Sequence, residues 1–329
     1  MSHTIPTMPD NRRCLVADIG GSNARFAIAR RTDGGVALDH MVAMRGADHP
    51  DLVAAIEHYL RATGQPRPSA AAVAIAGPIV GDHAEITNHT AWSFAIEATR
   101  RRLALERLTA LNDFTAIALS LPHLGAGDQR QIGAGAATAG APIGVIGPGT
   151  GLGMSGVVRT TTGWAAIEGE GGHATFAPMS ERESRIADLL RRRFGHVSWE
   201  RVLSGPGLVN LYSAIAQLDG HAAEPLTPEA IDERGRSGSC ALCREALEIF
   251  CAALGTAAGS LALTLGARGG VFIGGGIVPR LGAFFDASAF RPRFESKGRL
   301  SDYMRPIPTF VITAANPGLI GAAMALAQA

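Results

Sequence analysis

Two stretches far apart in the chain follow one plan, an apolar strand, a short turn of glycine with a hydroxyl residue, and a second apolar strand. The first is Cys14-Leu-Val-Ala-Asp18-Ile-Gly20-Gly21-Ser22-Asn23-Ala-Arg25-Phe-Ala-Ile-Ala29, and the second is Ile143-Gly-Val-Ile-Gly147-Pro148-Gly149-Thr150-Gly151-Leu-Gly153-Met-Ser-Gly-Val-Val158. Each reads as a hairpin. A turn whose amides are not shielded by side chains can approach phosphate oxygens, and Asp18, just before the first turn, could hold a metal ion through water. Taken singly, each is equally an ordinary glycine-rich hairpin. Together they are what a duplicated, phosphate-gripping fold would show. Gly151-Leu-Gly153-Met-Ser-Gly156 satisfies GxGxxG, but a dinucleotide fingerprint needs a helix there, and Val157, Val158 and the Thr160 to Gly163 turn predict a further strand instead. A Walker loop is excluded because the chain's one lysine, Lys297, follows no GxxxxG.

Between the hairpins the apolar run Leu108-Thr109-Ala110-Leu111 stops abruptly at Asn112-Asp113. That pattern predicts a buried strand delivering two polar side chains to a sheet edge, where open α/β sheets keep their ligands. Asn and Asp are also favoured helix caps, so the pair equally suits the start of a helix over Phe114 to Leu121. Apolar spacing predicts a helix over Asp51 to Ala62 and a buried strand over Ala71 to Ala76. Ile86 to Thr90 reads as another strand ending in polar groups, with Asn88 able to reach a polar substrate. Later, Ser180-Glu-Arg-Glu183 and Thr227-Pro228 are helix starts. Leu203 to Leu218 and Ala241 to Leu265 read as long helices, Pro308 to Thr313 as a strand, and Asn316-Pro317 to Ala327 as a closing helix.

Composition narrows the partners. A chain of 329 residues with 47% hydrophobic content can fill two cores. With 30 basic and 29 acidic residues it carries no electrostatic footprint for nucleic acid or an anionic membrane. Small ligands are the expected partners. Four cysteines, at 14, 240, 243 and 251, are too few for a disulfide framework and point to a reducing compartment. Cys240-Ala-Leu-Cys243 lacks the further ligands of a zinc site and the preceding strand of a redox motif, so helix packing is its expected role. Ile249 to Ala267 carries no charge and approaches the roughly 20 residues of a membrane span, but its Gly, Ser and Thr fit a helix buried on all sides. Met1 to Arg13 is polar, lacks a signal-peptide core and reads as a disordered lead.

With these segments in view, the chain resembles the bacterial glucokinases of the actin-like, hexokinase-type ATPase superfamily, from about Cys14 almost to the C-terminus. Asp18 to Arg25 is similar to the first phosphate motif, and Gly149-Thr-Gly-Leu-Gly153 to the second. Thr87-Asn88-His89-Thr90 and Leu111 to Phe114 resemble sugar and catalytic segments. Glu168-Gly-Glu170-Gly-Gly-His173 resembles the hexose-recognition loop, Ser198 to Gly207 a segment supplying a further sugar-binding glutamate, and Gly269 to Pro279 the adenosine motif. Two departures stand out. Ser22 replaces the commoner threonine but keeps a hydroxyl, and the Cys-rich zinc loop of the repressor and open-reading-frame kinase branch is missing.

The resemblance implies a two-domain α/β fold, actin-like and ribonuclease H-like, with the active site in the interdomain cleft. The smaller domain would be 1–123 plus 314–329 and the larger one 124–313. It implies ATP-dependent phosphorylation of glucose at the 6-hydroxyl, the first step of glycolysis, with Asp113 as general base. Asn88, Asn112, Asp113, Glu170, His173 and Glu200 would bind sugar. Ala17, Asp18, Ile19, Gly20, Gly21, Ser22, Gly149, Thr150, Gly275 and Gly276 would bind ATP, and Asp18 would hold Mg2+ through water. Partners would be glucose and ATP in the cytoplasm, without nucleic acid or membrane, and a homodimer is open. The rivals are a catalytically silent sugar sensor of the same fold and a kinase of another hexose such as mannose or fructose.

Overall fold

A computed structural model describes residues 13–21, 23–32, 35–86 and 92–327. Ser22, Thr87 to Thr90 and all of the expected lead except Arg13 lie outside them. By its contacts the chain divides into two compact units, Met1–Gly125 with Val157–Glu168 and Ala314–Ala329, and Ala126–Gly156 with Gly169–Thr313.

The first unit opens with the hairpin β1 (Cys14–Ile19) and β2 (Asn23–Thr32), to which β3 (Gly35–Arg45) adds an antiparallel edge. Helix α1 (Leu52–Thr63) begins where the Asp51 side chain accepts the Ala54 N–H at 2.7 Å and ends at Gly64 in the left-handed region. Then β4 (Ala70–Ile75) runs parallel beside β1. A small ribbon of two-residue strands follows, β5 (Ile79–Val80), β6 (His83–Ala84) and β7 (Phe94–Ala95), with α2 (Ile96–Arg102) after it. Of the strand expected over 86–90 only Ile86 is described, and it lies beyond β6 outside any strand. Finally β8 (Arg107–Asn112) pairs parallel with β4 and leads straight into α3 (Asp113–Ser120).

The sheet order is β3-β2-β1-β4-β8. The near-continuous apolar sequences of β1 and β4 follow from burial on both faces, as central parallel strands require. Leu15, Ile19, Phe26, Tyr59, Val73 and Trp92 fill the core. Phe26 stacks on Tyr59 with centroids 5.5 Å apart. Each such ring contributes about 1.5–3 kcal/mol on burial. The Tyr59 hydroxyl donates to the His40 carbonyl at 2.9 Å, and burial pushes its pKa up to about 12.

The second sheet repeats this order. Its strands are β9 (Gln129–Ile132), β10 (Ile143–Pro148), β11 (Leu152–Thr160), β12 (Gly163–Ile167), β13 (Val271–Ile273) and β14 (Thr309–Ile312); β11 continues past the division at Gly156, and β12 is counted with the first unit. They lie in the order β12-β11-β10-β13-β14-β9. Two outer strands, a hairpin's first strand, then two parallel strands: β12 to β14 reproduces β3 to β8, with β9 added antiparallel on the edge. The duplication expected from the two hairpins therefore extends through five strands of each sheet.

Around this sheet pack α4 (Glu181–Phe194), α5 (Gly205–Leu218), α6 (Pro228–Ser237), α7 (Ala241–Leu265) and four short helices, α8 (Ile277–Leu281), α9 (Ala283–Asp286), α10 (Phe290–Glu295) and α11 (Ser301–Met304). Ser180, Ser204 and Thr227 cap α4, α5 and α6 with their hydroxyls. At α4 the expected reciprocal box is altered. Ser180 accepts from Glu183 N–H, but Glu183 Oε2 takes the Met179 N–H at 2.7 Å, and both its oxygens bind the Arg293 guanidinium at 2.7 and 3.0 Å. A buried carboxylate needs that paired charge more than it needs the box. Helix α7 is the apolar segment tested above as a membrane span, and most of it is buried in the unit's core. Cys240 is its N-cap, its sulfur accepting the Cys243 N–H at 3.3 Å, while Cys243 packs inside. Helix α12 (Pro317–Ala327) returns to the first unit, where it packs on β1, β4 and α3.

Candidate active site

In the first unit the parallel register aligns Ile19 with Ile75 and Ile75 with Asn112. The carboxyl ends of β1 and β8 therefore open on one edge, two strand spacings or about 10 Å apart. Ala17 and Ile19 are fully buried, so whatever they offer a ligand comes from their backbone. The Asp18 side chain, 22% exposed, points to the other face. It opposes Arg25 across the hairpin, and the guanidinium lies 3.5 Å from its Oδ2. Burial raises the Asp18 pKa, while Arg25 pulls it back toward the charged form. The N-terminal end of α12 also presses here, since a Cβ on Gly318 would stand 3.1 Å from the Asp18 carboxylate. Beyond β1, Gly20 N–H donates to Asn23 O at 2.9 Å and closes the turn that contains Gly21.

At the end of β8 the adjacent polar pair divides its tasks. Asn112 is the cap of α3, its Oδ1 accepting from Phe114 N–H at 2.8 Å and Thr115 N–H at 3.3 Å, while its amide donates to Gly77 O at 3.4 Å. Asp113 is the first residue of the helix. Its Oδ1 lies 2.9 Å from the same Phe114 N–H, at the end of the helix whose dipole attracts negative charge. Both alternatives left open by the sequence are thus present, the capping one in Asn112.

In the second unit Gly149, Thr150 and Gly151 form the turn between β10 and β11. Gly149 N–H donates to Gly151 O at 2.8 Å, and Thr150 is exposed. Gly275 crosses the end of β10 with φ 77°, so close that a Cβ would lie 2.3 Å from Pro148 O, and Gly276 beside it faces open space. Glu170 and His173 flank a single turn at Gly171–His173, and both are exposed. Glu200 sits in the turn Trp199–Arg201. Those two segments are packed together: Trp199 N–H donates to Ala174 O at 2.9 Å, and the Trp199 ring meets Phe176 edge-on at 5.2 Å. The Glu200 Oε2 accepts from Leu152 N–H at 3.0 Å.

The structure therefore gathers Ala17, Asp18, Ile19, Gly20, Gly21, Asn112 and Asp113 at one sheet edge of the first unit. It places Gly149, Thr150, Glu170, His173, Glu200, Gly275 and Gly276 around the second hairpin's turn. Ser22 and Asn88 lie outside the described residues. Sequence reasoning passed over Arg25 as a partner of Asp18, although fixing the turn at Gly20 to Ser22 is enough to set them opposite each other. It also missed Leu152 N–H and Gly318, which carry no side-chain signal.

Comparison with known proteins gives concordant results. The family model described as Glucokinase matches residues 15–329. A glucokinase of Chromobacterium violaceum is 52% identical over 98% of this chain and 91% of its own length. One from Aromatoleum aromaticum is 52% identical over 96% of this chain and 95% of its own. Among solved structures, the crystal structure of a glucokinase from an Antarctic psychrotroph superposes with a TM-score of 0.89 at 38% identity, covering 97% of this chain and 99% of that one.

Proposed function

The chain belongs to the glucokinase family, and we propose that Asp113 is the base with which it transfers the γ-phosphoryl group of ATP to the 6-hydroxyl of glucose. ATP-dependent phosphorylation of glucose, the step that opens glycolysis, is the activity of this enzyme. Such transfer passes through a loose transition state, so the protein's work is positioning and charge neutralisation. Asp113 accepts the proton of the 6-hydroxyl as its oxygen bonds to the γ-phosphorus and the bond to the β–γ bridging oxygen breaks, releasing ADP. Asn88, Asn112, Glu170, His173 and Glu200 hold the other sugar oxygens, the carboxylates accepting and the amides donating. Gly20 and Gly149 N–H close their turns, so the amides that hold phosphates are those of Gly21, Ser22 and Thr150, with Ala17 to Ile19 forming the paired strand behind the first turn, and Gly275 and Gly276 leave room for adenosine. The partly exposed Asp18 carboxylate, steadied by Arg25 beside a glycine turn, suits a Mg2+ ion held through water. When bound, that ion neutralises charge on the phosphates. The partners are glucose and ATP. Four thiols without a disulfide fit a cytoplasmic location.

The observation that carries the assignment of the base is the division of labour at the start of α3, where Asn112 makes the cap and Asp113 stands beside it at the sheet's ligand edge. Asp113→Asn and Asp113→Ala should lower kcat by about 10²-fold to 10⁴-fold, with the affinity for an ATP analogue nearly unchanged. ADP release measured with glucose, mannose and fructose tests base and substrate together. Wild-type turnover in either variant would leave Asp113 a helix residue only.

A further inference from the structure

Both sugar-side segments and the second phosphate turn meet at Leu152, the first residue of β11. Its N–H donates to Glu200 Oε2 at 3.0 Å. Its carbonyl lies under the Glu170–His173 loop, so close that a Cβ on Gly172 would be 2.0 Å from the oxygen. The Glu200 carboxylate also lies against the turn itself, since a Cβ on Gly151 would be 2.6 Å from Oε2. The Glu200 segment is braced to the same turn from the other side. Ser204 Oγ donates to Glu200 O at 2.8 Å, and Gly205 N–H donates to Gly149 O at 2.8 Å. A half-buried carboxylate with one oxygen committed to a backbone amide has its other oxygen left to present to a ligand.

We propose that Glu200 is a positioning residue for the nucleotide as well as a ligand for the sugar, Oε2 holding the Gly149–Gly151 turn through Leu152 N–H while Oε1 takes a sugar hydroxyl. The second half rests on the assignment of Glu200 to the sugar site made above; the first half does not. A sugar hydroxyl donating to Oε1 restrains the carboxylate, and through Oε2 it restrains the turn that receives phosphate. Sugar and nucleotide then strengthen each other's binding by the same factor.

The test uses the full chain, Mg2+ and a non-hydrolysable ATP analogue, titrated by calorimetry without sugar. Glu200→Ala should weaken analogue binding about tenfold, the loss of one charge-assisted hydrogen bond. Glu200→Gln keeps an oxygen for Leu152 N–H, so it should restore analogue affinity to within about twofold while the KM for glucose stays raised about tenfold or more. Glu170→Ala should raise the glucose KM and leave sugar-free analogue binding unchanged. Analogue binding by Glu200→Ala equal to wild type, or a Gln variant as weak as the Ala variant, overturns the proposal. Hydrogen exchange on the wild-type chain needs no variant to fold: glucose should slow exchange at Leu152, and an unchanged rate at saturating glucose counts against the coupling. A wild-type chain that fails to bind glucose would instead refute the sugar assignment, and the sugar-free titrations would still decide whether Glu200 holds the turn.

Discussion

Gly321→Ala probes how the C-terminal helix sets the catalytic residue. Gly321 is where α12 touches α3, and a Cβ there would lie 1.6 Å from the Ala116 carbonyl oxygen and 2.4 Å from its carbon. Real Cβ atoms essentially never come within 3.0 Å of another group. The obstacle is backbone, so no side-chain rotation relieves it, and moving from 1.6 to 3.0 Å requires the helices to part by about 1.4 Å. Ala116 is three residues from Asp113, about 4.5 Å along the helix axis, so a rigid shift of α3 carries Asp113 with it. Overpacking of this kind costs about 1–3 kcal/mol, and replacing a helical glycine by alanine returns about 1 kcal/mol. The net loss of about 0–2 kcal/mol should lower Tm by about 0–8 °C.

Misplacing a reacting group by about 1 Å costs on the order of 100-fold in rate. The variant should therefore stay folded and lose about 10²-fold in kcat at saturating glucose and ATP, with the analogue still bound. Coupled ADP release and scanning calorimetry on the same preparation give both numbers. A lowered Tm with unchanged kcat would mean that α12 does not fix the start of α3. An unchanged Tm together with unchanged kcat would refute the close packing itself.

Glu170→Gln should raise the glucose KM about 10-fold to 100-fold with little change in kcat, because it removes a charged acceptor used in ground and transition states alike; equal KM values would take Glu170 out of the sugar site. Burial pushes the Cys243 and Cys251 thiols up to about 12, and Cys14 is buried as well, so at pH 8 a thiol reagent should modify Cys240 alone in the folded chain and all four thiols in denaturant. A second fast-reacting thiol in the native protein would contradict that packing. The same shifts fix the sign of the alkaline stability curve: from the ordinary thiol value of 9.0 up to about 12, the unfolded chain has released protons that the folded chain still holds, so the stability contributed by these groups is full below 9.0 and is lost as pH rises through that window, with Tyr59 acting alike from 10.0. Urea midpoints that rise between pH 9 and 11 would refute this sign.

Elements were legible in the sequence where the chain states both ends. The two hairpins are punctuated by glycine, α1 by Asp51 and Gly64, α6 by Thr227-Pro228 and Gly238, and α7 by Cys240 and Gly266, each residue satisfying amides or turning the chain locally. Among the short helices α8 to α11 only α8 states an end, at Gly282. At four to six residues each they are below the length at which a helix holds itself, and burial of Phe285, Phe290, Phe294 and Met304 fixes them. Strand β9 was invisible for the opposite reason: Gln129-Arg-Gln-Ile132 has one buried side chain and is a strand because β14 offers an edge. In the site, side chains with a pattern were found, and backbone partners such as Leu152 N–H were not, because an amide's position depends on which segments fold together.

The Asn112-Asp113 pair shows what sequence and structure each supply. Asp51, Ser180, Ser204 and Thr227 each cap a helix with a single side chain. One residue is enough, because the capping oxygen has only the N2 and N3 amides to reach. At α3 Asn112 already accepts from both Phe114 N–H and Thr115 N–H, and the Oδ1 of Asp113 is a second acceptor on the Phe114 donor. Replacing Asp113 therefore leaves the cap intact, which is why a large fall in kcat with an unchanged melting temperature would assign the loss to chemistry, whereas Asn112→Ala should lose the cap, about 1 kcal/mol, and the sugar contact together.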